Sequence, residues 1–188
     1  MADSLRGQFL VASRSLNDPN FFKTVVLIVE HTPDGAMGLI VNRPSSVTVS
    51  NALSMHFSLP ETDELVHVGG PVEPSDLFIL HNAAELEVNE RPVLPGLFVG
   101  SNGSVFEEVV RSLNKPEHGC LFRIYSGCAG WAPNQLEHEI QRGDWFMTQA
   151  CPEMVFSCEP YDSWDCCLKK IWQENRMLPH TVRNPEWN

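Results

Sequence analysis

Residues 24–42 read TVVLIVEHTPDGAMGLIVN, and this stretch decides what kind of fold the chain can adopt. Two β-rich apolar runs, 24–30 and 36–42, flank the five residues His31 to Gly35, in which Pro33 fixes φ and Gly35 tolerates a positive φ. The pattern predicts a β-hairpin with a five-residue loop. Val25 through Val29 are apolar without alternation, so the first strand is expected to be covered on both faces.

Working outward, Gln8–Ala12 reads as an earlier strand, separated from the hairpin by the turn chemistry of Asn17, Asp18 and Pro19. Downstream, Val49, Leu53 and Phe57 recur every fourth residue and predict a helix over 48–57, capped by Thr48 or Ser46. Leu65–Val68 and Leu77–His81 look like strands around a tight turn at Gly69, Gly70 and Pro71, with a further short strand at Leu97–Val99. Ser101 or Asn102 can cap a helix carrying Val105, Val109, Val110 and Leu113. Cys120–Tyr125 is another strand, followed by a glycine turn and a helix from Pro133 to about Gln141, closed by Gly143. Trp145–Thr148 returns to the sheet, and Asp162 caps a last amphipathic helix with Trp164, Leu168, Ile171 and Trp172 on it. Strands and helices mix without βαβ alternation, which predicts a largely antiparallel α+β fold. A single compact domain over residues 1–178 and a tail over 179–188 are expected.

Charge narrows the function. The 188 residues hold 24 acids against 13 Lys and Arg, a formal net charge of −11. Such a surface repels phosphate backbones, so direct nucleic-acid binding is not expected. Between Arg43 and Arg91 there is no base at all, while Glu61, Asp63, Glu64, Glu73, Asp76, Glu85, Glu87 and Glu90 fall there. That stretch reads as a solvated face or as a docking surface for a basic partner. The longest apolar run is Val25–Val29, far short of the ~20 residues of a membrane span, and a secretory leader pattern is absent. The cytoplasm is the expected compartment. All six cysteines lie in the second half at spacings that make no zinc knuckle, so buried or partly buried free thiols are expected, with no metal and no cofactor.

The densest run of candidate site residues is Gly127 to Glu139. A strand end, a glycine turn and a helix start follow one another there, and helix-start N–H groups can hold an anion. Gln135 and Glu139 share one helix face, where they would point into a cleft or lie as ordinary surface groups. His31 and Asn42 sit on the limbs of the hairpin, and Glu30 beside His31 is an acid/base pair in principle, although a His bonded to turn backbone is the commoner case.

The segments GQFLVA (7–12), NDPNFFKTVV (17–26), EHTPDGAMGLIVNRP (30–44), GGPV (69–72), GCAGWAPNQLEHEI (127–140) and DWF (144–146) together resemble the AlgH/YqgE family of bacterial proteins, in the same order. The similarity runs from about Gly7 to Trp172. It implies an α+β domain whose sheet folds into an irregular barrel-like arrangement with flanking helices. It implies no established reaction, and the family's regulatory label comes with no DNA-binding motif. Family positions carry over onto His31, Gly35, Gly38, Asn42, Pro44, Gly69, Gly70, Pro71, Gly130, Trp131, Gln135, Leu136, Glu139 and Trp145. One departure is Asn134, where members usually have Gly; Asn tolerates left-handed backbone, so the turn should survive.

The favoured expectation is a binding or regulatory module using a groove between the 24–42 hairpin and the 131–141 helix. His31, Asn42, Gly130, Trp131, Asn134, Gln135 and Glu139 are its ligand-binding candidates, and its partner is a protein or a small anionic ligand. The alternative is an enzyme acting on a small anionic molecule, with His31 or Glu139 moving a proton. That alternative requires His31, Asn42, Gln135 and Glu139 to converge on one pocket.

Overall fold

In the computed structural model the described residues are 4–59, 61–86, 91–100, 103–111 and 120–176. The α+β class is as expected. The first arm of the sheet contains β9 (Trp145–Gln149), β1 (Gln8–Ala12), β2 (Val25–Thr32) and β3 (Gly35–Ile40), paired antiparallel in that order. The second arm contains β4 (Pro44–Thr48), β5 (Leu65–Val68), β6 (Val72–His81) and β7 (Phe98–Gly100). Both arms share the long strand β8 (Phe122–Trp131), which pairs β3 through Ala129–Trp131 and β6 mainly through Phe122–Ser126. Among the described strands the path runs from β4 to β9 without closing, so the barrel-like sheet is an open one.

The hairpin is present, but its strands run further than expected. Thr32 pairs with Gly35, leaving only Pro33 and Asp34 as the connection. Continuous apolarity in β2 has the expected meaning. Val25, Leu27 and Val29 join Phe9, Val11 and Leu39 on one face, under the long helix α5 (Pro160–Arg176). Val26 and Ile28 join Leu10, Ile40 and Trp131 on the other, under α3 (Gln135–Arg142). Each fully covered Val, Leu or Ile of this kind contributes on the order of 1.5–3 kcal/mol. A third apolar cluster packs α1 (Val49–Leu53) and α2 (Gly103–Arg111) on the second arm, with Val66, Ile79 and Ile124 beneath them.

Several expectations need correction. Leu65–Val68 and Leu77–His81 do not form a hairpin: β5 pairs β8 in parallel, and β6 pairs the same strand antiparallel. The turn at Gly69 and Gly70 therefore crosses β8 itself. A Cβ on Gly70 would lie 2.2 Å from the Cys128 carbonyl, and one on Gly127 would lie 2.6 Å from the Gly70 carbonyl oxygen. Those glycines answer to a backbone crossing. Gly127 to Trp131 is strand and not turn, with Gly127 at φ +67° where the two arms join. β4 and the short helix α4 (Pro152–Phe156) escape the periodicity argument, because each is only five residues long. α1 ends at Leu53, α3 starts after Pro133, and α5 starts before Asp162. Thr48 does cap α1, its hydroxyl accepting from the Asn51 N–H. Ser101, Asn102, Leu113 and the tail fall outside the described residues, as do Glu87 and Glu90.

Candidate functional site

The chain enters α3 from β8 through the residue that precedes the helix. Asn134 takes the left-handed conformation at φ 64°, as the family resemblance implies, and its side chain makes no cap bond. Gly143 closes the helix at φ 83°, its N–H reaching the carbonyls of Glu139 and Ile140. With Leu136 buried in the core, Gln135 and Glu139 fall together on the adjoining stripe.

The pair does not open into a cleft. Glu139 Oε2 accepts from both indoles, Trp131 Nε1 at 2.9 Å and Trp145 Nε1 at 2.8 Å. Its Oε1 accepts from Gln135 Nε2 at 2.9 Å, and Gln135 Oε1 in turn accepts from the Ala132 N–H at 3.0 Å. The two indoles meet edge-on at 6.1 Å, and Phe21 stacks on Trp131 at 6.2 Å. One carboxylate thus ties β8, β9 and α3 together. Sequence reasoning named Glu139 and Trp131; it did not reveal Trp145 as the second donor, because nothing local places β9 beside α3.

His31 comes to the same side of the molecule by a different device. The β2–β3 register shifts between Ile28 and Glu30, an extra residue that reverses the alternation of the strand. His31 therefore lies opposite Ala36, on the α3 face, where its Nε2 meets Glu137 Oε1 at 2.8 Å. Its Nδ1 accepts from the Leu5 N–H at 3.0 Å, which makes Nε2 the protonated nitrogen and the donor to Glu137. Its partners are thus Glu137 and the N-terminal backbone, in place of Glu30 or its own turn. The Glu137 carboxyl is held below its usual range by the backbone N–H it accepts from and by His31.

Asn42 is not part of this arrangement. Its Oδ1 accepts from the Val25 N–H at 2.8 Å and its Nδ2 donates to the Lys23 carbonyl at 3.0 Å, bracing the open end of the hairpin. At ~3.3 Å per residue that lies roughly 20 Å from His31. Gly130 sits opposite Met37 in the ladder. His31, Gly130, Trp131, Asn134, Gln135 and Glu139 are neighbours, but the hairpin tip and α3 are bonded to each other where a groove was expected. His31, Asn42, Gln135 and Glu139 do not converge on one pocket. Clefts elsewhere, around Trp164, around Arg91 and around His67, take none of these residues into their walls. Among the described residues no group of three or more His, Cys, Asp or Glu is placed to hold a metal.

The AlgH-like family model matches residues 9–175. The chain belongs to the AlgH-like family. A UPF0301 protein of Myxococcus xanthus is 36% identical over 172 residues, covering 90% of this chain and 92% of that protein. A UPF0301 protein of Chlorobium chlorochromatii is 36% identical over 183 residues, covering 97% and 94%. The solution structure of the AlgH protein from Pseudomonas aeruginosa superposes with a TM-score of 0.74 at 27% identity, covering 97% of this chain and 98% of that one. A crystal structure from Corynebacterium diphtheriae, 24% identical with a TM-score of 0.71, shares the fold and covers 96% and 90%. The names of these proteins state no activity. No described helix of this AlgH-like chain is long and apolar enough to cross a membrane.

Proposed function

We propose that this AlgH-like chain is a cytoplasmic binding or regulatory module whose contact face is the hairpin tip together with the 130–135 segment. The observation that carries the reading is the saturation of the acid/base candidates. His31 spends both ring nitrogens and Glu139 both oxygens on the protein itself. A general acid or base must have the reacting group within hydrogen-bond reach. Groups tied in this way serve better to hold a surface rigid, and a rigid surface binds at lower entropic cost. The exposed residues on that face are Thr32, Pro33, Asp34, Gly130, Ala132, Pro133, Asn134 and Gln135. Six free cysteines support the cytoplasmic setting.

The face carries Asp34 and no cation, so of the two expected partners a protein fits it better than a small anionic ligand. Asp34→Arg and Pro133→Arg alter the face without touching the clamp. The immobilised chain should retain a defined protein, and that protein, once purified, should bind the parent at least tenfold more tightly than either variant. Retention of nothing above background by the parent, or equal affinity for all three proteins, would remove this reading.

A further inference from the structure

The chain carries eleven more acids than bases. Two of its cations nevertheless line one cleft with no ion-pair partner among the described residues. Ser13, Arg14, Phe22, Lys23, Trp164 and Asp165 line this space of about 300 Å³, and no ion pair is recorded for Arg14 or Lys23 among the described residues. Both cations stand on aromatic faces. Lys23 Nζ lies 5.1 Å from the Trp164 ring centre and 5.8 Å from that of Phe22, and the Arg14 guanidinium lies 5.2 Å from the Trp172 ring. Such stacking places a cation while leaving N–H donors free at its edge.

The walls are braced. Trp164 Nε1 donates to the Ala12 carbonyl at 2.8 Å, which fixes the indole. Lys23 is held at φ 52°, a conformation costly for a residue with a side chain, and Asn42 bonds its carbonyl. Arg43 donates to the Asn20 carbonyl at 2.6 Å, pinning the loop from the other side. Phe22, 64% exposed, stands at the rim.

We propose that this cleft binds a small oxyanion, carboxylate or phosphate, carried on a flat apolar ring. The Arg14 fork matches two oxygens of such a group and Lys23 supplies a second charge. The ring covers Phe22. Asp165 also lines the cleft, one negative charge against the two positive ones. The site lies apart from the hairpin tip and α3, and stands whether or not that face has a partner.

The test titrates the full chain at low ionic strength with phenyl phosphate, benzoate, inorganic phosphate and benzyl alcohol, read by tryptophan emission and by thermal shift. Phenyl phosphate or benzoate should saturate, and the tighter of the two identifies the head group. Inorganic phosphate should bind about tenfold more weakly, and benzyl alcohol not at all. Arg14→Gln and Lys23→Met should each weaken binding about tenfold, and Phe22→Ala should abolish the advantage of the ring. Arg14 is exposed, so its variant keeps the test valid should Lys23→Met fold poorly. The proposal is overturned by no saturation of either ring-bearing anion at about 10 mM, by equal binding of benzyl alcohol or inorganic phosphate, or by an unchanged affinity in the charge variants.

Discussion

Glu139 takes three hydrogens on two oxygens, from side chains of β8, β9 and α3. Glu139→Gln keeps the shape but turns one acceptor into a donor facing a donor. Bonds to a charged group are worth about 1.5–3 kcal/mol each, so the unfolding free energy in urea should fall by about 3 kcal/mol. A fall below about 1 kcal/mol would contradict the clamp. His67 sets a different sensitivity. It is 4% exposed, its Nδ1–H donates to the Leu65 carbonyl at 3.2 Å, and its Nε2 is buried with no partner among the described residues. Burial first, and the Arg123 charge second, bring its pKa down from 6.5 to about 4. Between those values the unfolded chain binds a proton that the folded chain does not. Stability from this group is complete above about pH 6.5 and is lost as the pH falls toward 4. Calorimetry at pH 7 and pH 4.5 should find a loss of roughly 2 kcal/mol that His67→Phe largely removes. Glu139 and His31 were legible as candidates from residue type and spacing; their partners, Trp145 and Glu137, were not. A hydrogen bond across the fold leaves no trace in local spacing.

Among the elements, β8 carries the most of the architecture, because both arms of the sheet use it. The crossing at Gly69 and Gly70 works only while no side chain intervenes. Gly70→Ala and Gly127→Ala each place a methyl within 2.6 Å of backbone that cannot yield, and both backbones are at positive φ. Each should leave the chain largely unfolded or insoluble at 25 °C by circular dichroism. Gly96→Ala, also at positive φ but with nothing within 4 Å, should cost only about 1 kcal/mol. Equal behaviour of the three variants would count against the crossing. The hairpin was plain in the sequence, since Pro33, Asp34 and Gly35 punctuate two β-rich runs. The extra residue at Val29 was not, although it turns His31 toward α3. A bulge depends on which partner residues are opposite, and periodicity within one strand cannot supply that.

On the scale of the whole molecule, the C-terminal helix closes the core begun by the first strand. Trp164 bonds Ala12 across 152 residues, and Leu168 and Ile171 cover Phe9, Val11 and Leu27. A chain ending at Ser157 would expose that face, and it should show no cooperative thermal transition. Thiol labelling provides a milder probe. Cys166 is exposed and should react at once, whereas Cys167 is buried and its thiol is pushed up to about 12, so it should wait for unfolding. Simultaneous labelling of the neighbouring pair would show that α5 does not seat as described. The exposure of Cys166 also corrects the expectation that all six thiols are at least partly covered. Sequence alone determined the α+β class, the hairpin and the apolar stripes of the main helices, because each depends on near neighbours and on the conformational range of single residues. Tertiary structure decided that β5 and β6 flank one strand, that Glu139 binds two indoles, and that Arg14 and Lys23 line one cleft with Trp164. Those outcomes join segments far apart in the chain, and only packing of the complete core chooses which of them meet.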